Sequence, residues 1–305
     1  MKVHFDIIRR RKWFFTISSL ITVAGLVVFL VSGFNLGTDF KAGSQVQVQL
    51  NQPFTSTQVA HVMTEAGLTL TPGAVTKAGL NDQTAIIRFS DVLTSKQIAN
   101  ITSDMKTAFP KALPPQINTV DPLVATQTSH KAVLAVLFAS LFIVIYVAIR
   151  FEYRYAVAGI IALMHDAFIV MSVFALLRLE VNLTFIAAVL TIVGYSINDT
   201  IVIFDRIREN MKLTPPNSYE ELQALVNKSL WQTMTRSLNT VATVLIAALM
   251  LFFFGGQSIH DFTFALIVGL ISGAYSSIFI ASPIWVIWRG RDFRRKARLA
   301  ALDKA

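Results

Sequence analysis

Six long apolar runs constrain this chain more than any other feature of its sequence. A helix that crosses a bilayer needs roughly 20 consecutive and mostly apolar residues. Runs of about that length occupy residues 13–34, 132–149, 155–177, 183–204, 232–254 and 262–288. The pattern predicts six transmembrane helices joined by short loops, except for one long segment between the first two. It excludes an ordinary soluble enzyme.

The composition agrees with that prediction and narrows the possible chemistry. Only 15% of the residues are charged, against about 25% in a typical soluble domain. The 305 residues include no cysteine, which excludes a disulfide scaffold and any thiolate metal site. The sequence has no HExxH motif, no nucleophile–base pair and no GxxxxGK[ST] phosphate loop. We therefore expect no enzymatic activity, no cofactor and no metal.

The basic residues predict the orientation of the chain in the membrane. The formal net charge is +9, and cytoplasmic loops are enriched in Lys and Arg. If the N-terminus is cytoplasmic, the cluster at 9–12 and the basic tail lie inside, and Arg178 is alone in the short outer loops. Both termini are thus expected in the cytoplasm, where the basic groups suit anionic lipid rather than nucleic acid. The first run exceeds the apolar core of a signal peptide and lacks an A-x-A-like site, which favours an uncleaved helix.

The long segment between the first two spans has the pattern of a separate α+β domain. Thr55 with Gln58, and Thr94 with Gln97, have the spacing of helix capping boxes. A turn is expected near 79–82. The predicted order is βαββαβ, the ferredoxin-like pattern, with strands at 45–50, 68–77, 84–90 and 116–121 and helices at 55–66 and 94–109.

The predicted fold class is therefore an α-helical polytopic membrane protein with an inserted ferredoxin-like α+β extracytoplasmic domain. The expected organisation has five parts along the chain. They are a cytoplasmic N-terminus at 1–12, the first transmembrane helix at 13–34, the extracytoplasmic domain at 35–131, transmembrane helices two to six at 132–288 and a basic cytoplasmic tail at 289–305.

Two ionisable residues near the cytoplasmic side of the fourth and fifth runs are candidate functional groups. Ionisable groups at bilayer depth are rare and costly, so each is a functional hypothesis. Asp199 lies in the fourth run, where desolvation disfavours a charged carboxylate and suits it to take up and release protons. Arg236 lies at a matching depth in the fifth run, and its permanent charge suits it to stabilise that carboxylate. The alternatives are a structural Asp bonded to a neighbouring Ser or Thr, and an Arg that snorkels to the interface.

Further polar and small residues occur in the other runs. His165 and Asp166 lie near the middle of the third run. Adjacent helical residues point about 100° apart, so one is expected to serve a proton route and the other a helix contact. Structural hydrogen bonding is an equally good interpretation. Gly269 and Gly273 form a GxxxG pattern that predicts close helix packing, and an amphipathic helix is expected at 219–231, at the membrane surface or against a partner.

Four stretches of the sequence resemble the bacterial SecF family of protein-export membrane subunits. They are FNLGTDFKAG at 34–43, EYRYAVAGIIALMHD at 152–166, VGYSINDTIVIFDRIREN at 193–210 and TRSLNT at 235–240. The resemblance covers nearly the whole chain. One departure is Lys41-Ala42-Gly43, where the family usually has a pair of glycines, and it puts only the local turn in doubt.

The resemblance implies a function and a set of partners. Members of the SecF family belong to the RND superfamily, lie in the bacterial inner membrane and pack against SecD. With the SecYEG channel and YajC they use the proton motive force to promote export of unfolded polypeptide. The residues matching Asp199 and Arg236 carry the proton-linked step in the family. Gly37, Asp39 and Phe40, in the GxDF stretch, are expected to order the junction to the external domain.

Two alternatives remain open from the residues alone. An RND-type exporter of small molecules or lipids would share the charged spans, but it normally has twelve spans and two large external loops. A structural scaffold for a translocon would tolerate neutral substitutions of Asp199 and Arg236.

Overall fold

A computed structural model describes residues 5–71, 73–78, 83–256 and 259–302 of the chain. Six of its helices are long and apolar enough to cross a membrane. They are α1 (Arg11–Ser32), α5 (Pro122–Arg150), α6 (Tyr153–Leu176), α7 (Leu183–Leu213), α8 (Tyr219–Phe254) and the last helix, which runs through α9 (His260–Ser276), a π turn (Ser277–Ala281) and α10 (Ser282–Leu302). The predicted fold class is confirmed.

Between α1 and α5 lies the external domain, a four-stranded antiparallel sheet with two helices. Its strand order is β3-β4-β2-β5, the arrangement that a βαββαβ chain adopts in the ferredoxin-like fold. Apolar side chains from both helices and the sheet form its core, including Val46, Ile87 and Ile101. Its elements are β2 (Gly43–Gln49), α3 (Ser56–Glu65), β3 (Val75–Ala78), β4 (Thr84–Phe89), α4 (Ser95–Ala108) and β5 (Gln116–Val120).

Both helices of the external domain begin as the capping-box spacing predicts. Thr55 and Thr94 accept hydrogen bonds from the backbone of Gln58 and Gln97, and each glutamine side chain accepts from the backbone of its threonine. The second predicted strand was wrong in its first half, because β3 begins only at Val75. Just before it, the backbone N–H of Ala74 donates to the carbonyl of Thr71. The turn predicted at 79–82 lies outside the described residues.

Four spanning helices extend well beyond their predicted apolar runs, namely α5, α7, α8 and the last helix. The helix α5 begins at Pro122, with Asp121 as its N-cap, so the predicted boundary between residues 131 and 132 falls inside it. The separate helix expected at 219–231 was wrong, since α8 continues unbroken for 36 residues. Its N-cap is Ser218, whose hydroxyl accepts a hydrogen bond from the backbone N–H of Glu221. Because residues 219–254 contain neither Gly nor Pro, nothing in the sequence interrupts the hydrogen bonds of this helix.

The helix α9 lies at the centre of the bundle, where it contacts α6, α7 and α8. A Cβ atom on Gly269 would lie 2.2 Å from a side-chain atom of Ile192 in α7, and one on Gly273 would lie 3.2 Å from Ser196. The close packing predicted for the GxxxG pattern therefore occurs within the chain, between α9 and α7. The outward surfaces of the bundle are apolar, and Leu30 and Ile149 are among their most exposed side chains.

Candidate functional site

The centre of the bundle holds a carboxylate that is surrounded by serine hydroxyls. Asp166 of α6 is completely buried. Its Oδ2 accepts hydrogen bonds of 2.6 Å from Ser196 of α7 and 2.6 Å from Ser276 of α9, and its Oδ1 accepts one of 2.7 Å from Ser272. We call these four residues the Asp166 cluster. Three helices are thus joined at one acidic group, which the hydroxyl donors stabilise in place of water.

His165 extends this arrangement towards the first span. Its Nδ1 lies 3.2 Å from Oδ1 of Asp166, and its Nε2 lies 2.6 Å from Oγ of Ser18 in α1. The ring of Tyr275 stacks on that of His165, and the Tyr275 hydroxyl donates to the backbone carbonyl of Phe14. Asp166 therefore faces α7 and α9 whereas His165 faces α1, which is the divergence expected of adjacent helical residues. Whether either takes part in proton transfer stays a prediction.

Asp199 lies in α7, on the side facing α8 and the π turn. It is 9% exposed, and the side chains that act on its carboxylate are Ser237 of α8, Ser277 of the π turn and, through space, Arg236. Within the described ranges, Oδ2 of Asp199 and Oγ of Ser237 are both buried, and neither makes a hydrogen bond of normal geometry although Ser237 lies close enough to act on the carboxylate. Unsatisfied polar atoms are uncommon inside folded proteins, and each calls for an explanation.

Arg236 is close enough to influence Asp199, but it does not hold the carboxylate directly. Its side chain is exposed at the surface of α8. Its charge acts on Asp199 through space, and no ion pair joins the two in the part of the chain that the structure describes. Three of the four residues predicted for a proton route are thus buried or half-buried in the bundle, and the fourth lies at its surface. A proton-linked role for any of them stays a prediction.

Sequence reasoning missed the serines around Asp166, and for Asp199 it gave a Ser or Thr of the fifth run as an alternative without identifying Ser237 or Ser277. Ser272 and Ser276 are four residues apart and share one face of α9, and Ser277 follows directly. That run of small hydroxyl residues in an otherwise apolar helix was the available signal. In the described part of the chain, no group of three or more His, Asp and Glu residues has the arrangement of a metal site.

The GxDF stretch lies where the external domain meets the outer ends of α6 and α7. Oδ2 of Asp39 accepts a hydrogen bond of 3.0 Å from the backbone N–H of Leu183, the first residue of α7. A carboxylate at a helix N-terminus satisfies a free donor and suits the helix dipole. Gly37 donates to the carbonyl of Val181, and a Cβ atom there would lie 2.3 Å from Glu180. Phe40 packs against the apolar cluster at the outer end of the bundle.

Two further contacts define this junction. The short strand β1 (Asn35–Leu36) pairs in parallel with β6 (Glu180–Val181), in the loop between α6 and α7. Arg88 of β4 forms an ion pair with Glu180, so the sheet of the external domain is linked to the same loop. Gly37, Asp39 and Phe40 thus lie at the junction, and the ordering role expected of them stays a prediction.

The departure from the glycine pair has a visible consequence at the start of β2. Ala42 adopts φ 67° and ψ 170°, and Gly43 follows at φ 111°. Alanine rarely adopts this combination, which is otherwise nearly restricted to glycine. A Cβ atom on Gly43 would lie 2.2 Å from the carbonyl oxygen of Phe89. The backbone thus keeps a shape suited to two glycines although only one is present.

Fold and site together define a class: a six-span membrane protein with one inserted α+β domain and acidic groups inside its helical bundle. The sequence profile described as "Protein export membrane protein SecD/SecF, C-terminal" matches residues 98–291, and that of the "SecD/SecF GG Motif" matches residues 27–53. The chain belongs to the SecD/SecF family of protein-export membrane proteins.

Individual relatives agree with this assignment. The chain is 58% identical to the protein translocase subunit SecF of Alicyclobacillus acidocaldarius over 98% of this chain and 97% of that protein. It is 44% identical to SecDF of Bacillus subtilis over 95% of this chain but only 39% of that protein. The crystal structure of SecDF from Thermus thermophilus, a translocon-associated membrane protein, is similar to this chain with a TM-score of 0.84 and 31% identity. The match covers 94% of this chain and 39% of the SecDF chain.

Proposed function

We propose that this chain is a subunit of the Sec protein-export machinery that uses the proton motive force to promote translocation of unfolded polypeptide. The chain matches 39% of the length of each of the two relatives named SecDF. This supports a SecD-type partner that supplies the rest of the assembly. The SecYEG channel, YajC and the exported preprotein are the further partners of the proposal, with both termini in the cytoplasm and the external domain on the outer side.

The observation that carries the proton-linked part is the unsatisfied pair formed by Asp199 and Ser237. An ionised carboxylate only accepts hydrogen bonds, whereas a protonated one also donates. An ionised Asp199 can accept a hydrogen bond from the Ser237 hydroxyl, whereas a protonated Asp199 can donate one to Oγ of Ser237, an atom without a bond of normal geometry in the described structure. Each protonation state then favours a different contact between α7 and α8.

The energy available to such a step is sufficient to drive a conformational change. One proton that crosses 100 mV releases about 2.3 kcal/mol, and conformational equilibria with gaps of a few kcal/mol respond to changes of that size. The part of the protein that moves in response would be the external domain. It is linked to the outer end of α7 by Asp39, so a shift of α7 is transmitted to the junction.

The test compares Asp199→Asn with Asp205→Asn in membrane vesicles that contain the complete export machinery. Both residues lie in α7, but Asp205 is partly exposed and pairs with Arg150 and Arg208 at the cytoplasmic end. Preprotein export is measured with the proton gradient intact and after an ionophore collapses it. With the gradient intact, we expect vesicles carrying Asp199→Asn to export preprotein only as fast as wild-type vesicles treated with ionophore. Vesicles carrying Asp205→Asn should still export faster with the gradient than without it.

A gradient response in Asp199→Asn equal to that of the wild type contradicts the proposal, provided the subunit is inserted in normal amounts. A scaffold would give that result. A chain that moves a small solute without SecD or preprotein would instead favour the RND-type exporter.

A further inference from the structure

Asp166 and Asp199 are connected through a small set of hydroxyl groups at the π turn. Ser277 Oγ lies 2.8 Å from Oγ1 of Thr200 and 3.4 Å from the backbone carbonyl oxygen of Ser196, and it also faces Asp199. Ser196 in turn donates its own hydroxyl to Asp166. All three hydroxyl residues are almost completely buried. The two carboxylates thus share neighbours although they do not touch.

Two consecutive serines serve different carboxylates where α9 passes into the π turn. Ser276 donates to Asp166, whereas Ser277 faces α7 and Asp199. Single π turns within α-helices are rare and occur frequently at functional sites. Ser282 donates to the backbone carbonyl of Ser277 and so occupies an acceptor in the widened turn.

Ser277 has one hydroxyl proton but faces more than one acceptor. A serine donates a single hydrogen bond, and here the candidates are the Asp199 carboxylate and the carbonyl of Ser196, with Thr200 able to donate to Ser277 itself. An ionised Asp199 is the stronger acceptor. When Asp199 is protonated, the carbonyl of Ser196 competes better. The hydroxyl therefore has two arrangements, selected by the charge of Asp199.

We propose that Ser277 is a positioning residue that couples the charge of Asp199 to the Asp166 cluster. Its hydroxyl rotates between Asp199 and the carbonyl of Ser196, the residue whose side chain holds Asp166. No proton passes between the two carboxylates in this step, because only the orientation of the hydroxyl changes. This inference rests on the proposed function, because the coupling matters only if Asp199 takes up protons. The packing of α6, α7 and α9 around Asp166 would then respond to that uptake.

The titratable groups around the two carboxylates belong to three elements. His165 adjoins Asp166 on α6, Tyr275 reaches the network through Ser18, and Arg236 acts on Asp199 from α8. These residues stay unchanged in the variants that test the coupling.

The experiment measures the charge state of Asp199 without reference to export. The full chain and its SecD-type partner are reconstituted in liposomes, and dicyclohexylcarbodiimide labels protonated buried carboxyl groups over a range of pH. Mass spectrometry of the Asp199 peptide gives the midpoint pH. Replacing Asp166 by Asn should move this midpoint by roughly 0.5–1 pH unit, and by less than about 0.2 unit when Ser277 is also replaced by Ala.

Controls separate coupling from general damage. Ser277→Thr keeps the hydroxyl, so Asp166→Asn should still shift the Asp199 midpoint in that variant. Ser277→Cys has only a weak S–H donor and should abolish the shift. It replaces Ser277→Ala if that variant fails to assemble. Ser172→Ala removes a buried hydroxyl whose hydrogen bond, within the described residues, is to the carbonyl of Phe168 in the same helix, and it should leave the shift intact. The proposal is overturned if Asp166→Asn still shifts the Asp199 midpoint when Ser277 is replaced by Ala and also when it is replaced by Cys. It is equally overturned if Asp166→Asn does not shift the midpoint when Ser277 is present. Normal export by Asp199→Asn would overturn the proposed function but not this coupling.

Discussion

The external domain and the helical bundle are organised in opposite ways. In the external domain the core is built of apolar side chains, with buried hydroxyls only in the strands, as at Ser44 and Thr84, and the helices are capped by threonine side chains. In the bundle the outward faces are apolar, and the centre holds Asp166 among serines. Water surrounds the first region, so burial of apolar surface drives its folding. Lipid surrounds the second, so apolar contact gives little preference for one helix over another, and polar contacts and close packing select the partners.

The largest expected effect concerns the polar centre. Asp166→Leu leaves the hydroxyls of Ser196, Ser272 and Ser276 without their acceptor, and we expect the bundle to lose about 4 kcal/mol of unfolding free energy. The measurement is unfolding of the purified complex against the mole fraction of a denaturing detergent. Ser172→Ala, which breaks only an intrahelical bond, is the matched control and should change little. Equal stability of Asp166→Leu and wild type would show that the polar centre does not hold the helices together.

The next effect should appear only in the external domain. Ile87→Ala removes a completely buried side chain from the middle of β4, and we expect a loss of about 3 kcal/mol from the cavity and the lost apolar burial. Hydrogen exchange of β4 should rise while that of α9 stays the same. Val92→Ala, at a side chain that is 47% exposed, should have almost no effect. Faster exchange in both regions would mean that the two fold as one cooperative unit.

Close packing in the bundle gives a smaller effect. Gly269→Ala places a Cβ atom 2.2 Å from Ile192, and overpacking of this kind should cost about 2 kcal/mol. Gly194→Ala is the control, because a Cβ atom there meets no described atom within 4 Å. It should be neutral or slightly stabilising, since Ala is the better helix former. The same detergent titration checks both. Similar results for the two glycines would contradict the tight contact of α7 and α9.

The smallest effect is a gain in stability at the junction between the two regions. Ala42→Gly relieves the strained φ of 67°, and we expect about 1 kcal/mol of net stabilisation after the entropy cost of glycine. Slower hydrogen exchange of β2 would show it. Ala66→Gly, where φ is −68°, relieves no strain and should be neutral or destabilising. A loss of stability in Ala42→Gly would mean that Ala42 is not strained.

Local signals were enough to predict several elements. Thr55 and Thr94 begin their helices as predicted because a capping box needs only residues three apart in sequence. The interpretation of 68–77 as one strand failed because it passed over Pro72-Gly73, a dipeptide that signals a turn in the sequence. The helix at 219–231 was drawn too short because apolarity marks the bilayer, whereas the hydrogen bonds of a helix continue past it until a residue ends them.

The sequence by itself determined the six spans, the inserted α+β domain and the presence of Asp166 and Asp199 at membrane depth. Length, apolarity and charge are local properties, so no fold was needed to recognise them. Only the tertiary structure decided that three serines enclose Asp166, that Ser237 and Ser277 face Asp199, and that Arg236 lies at the surface of α8. Those facts depend on the rotation and packing of helices that are distant in sequence. In a bundle whose outer faces are uniformly apolar, the hydrophobic pattern does not specify that rotation.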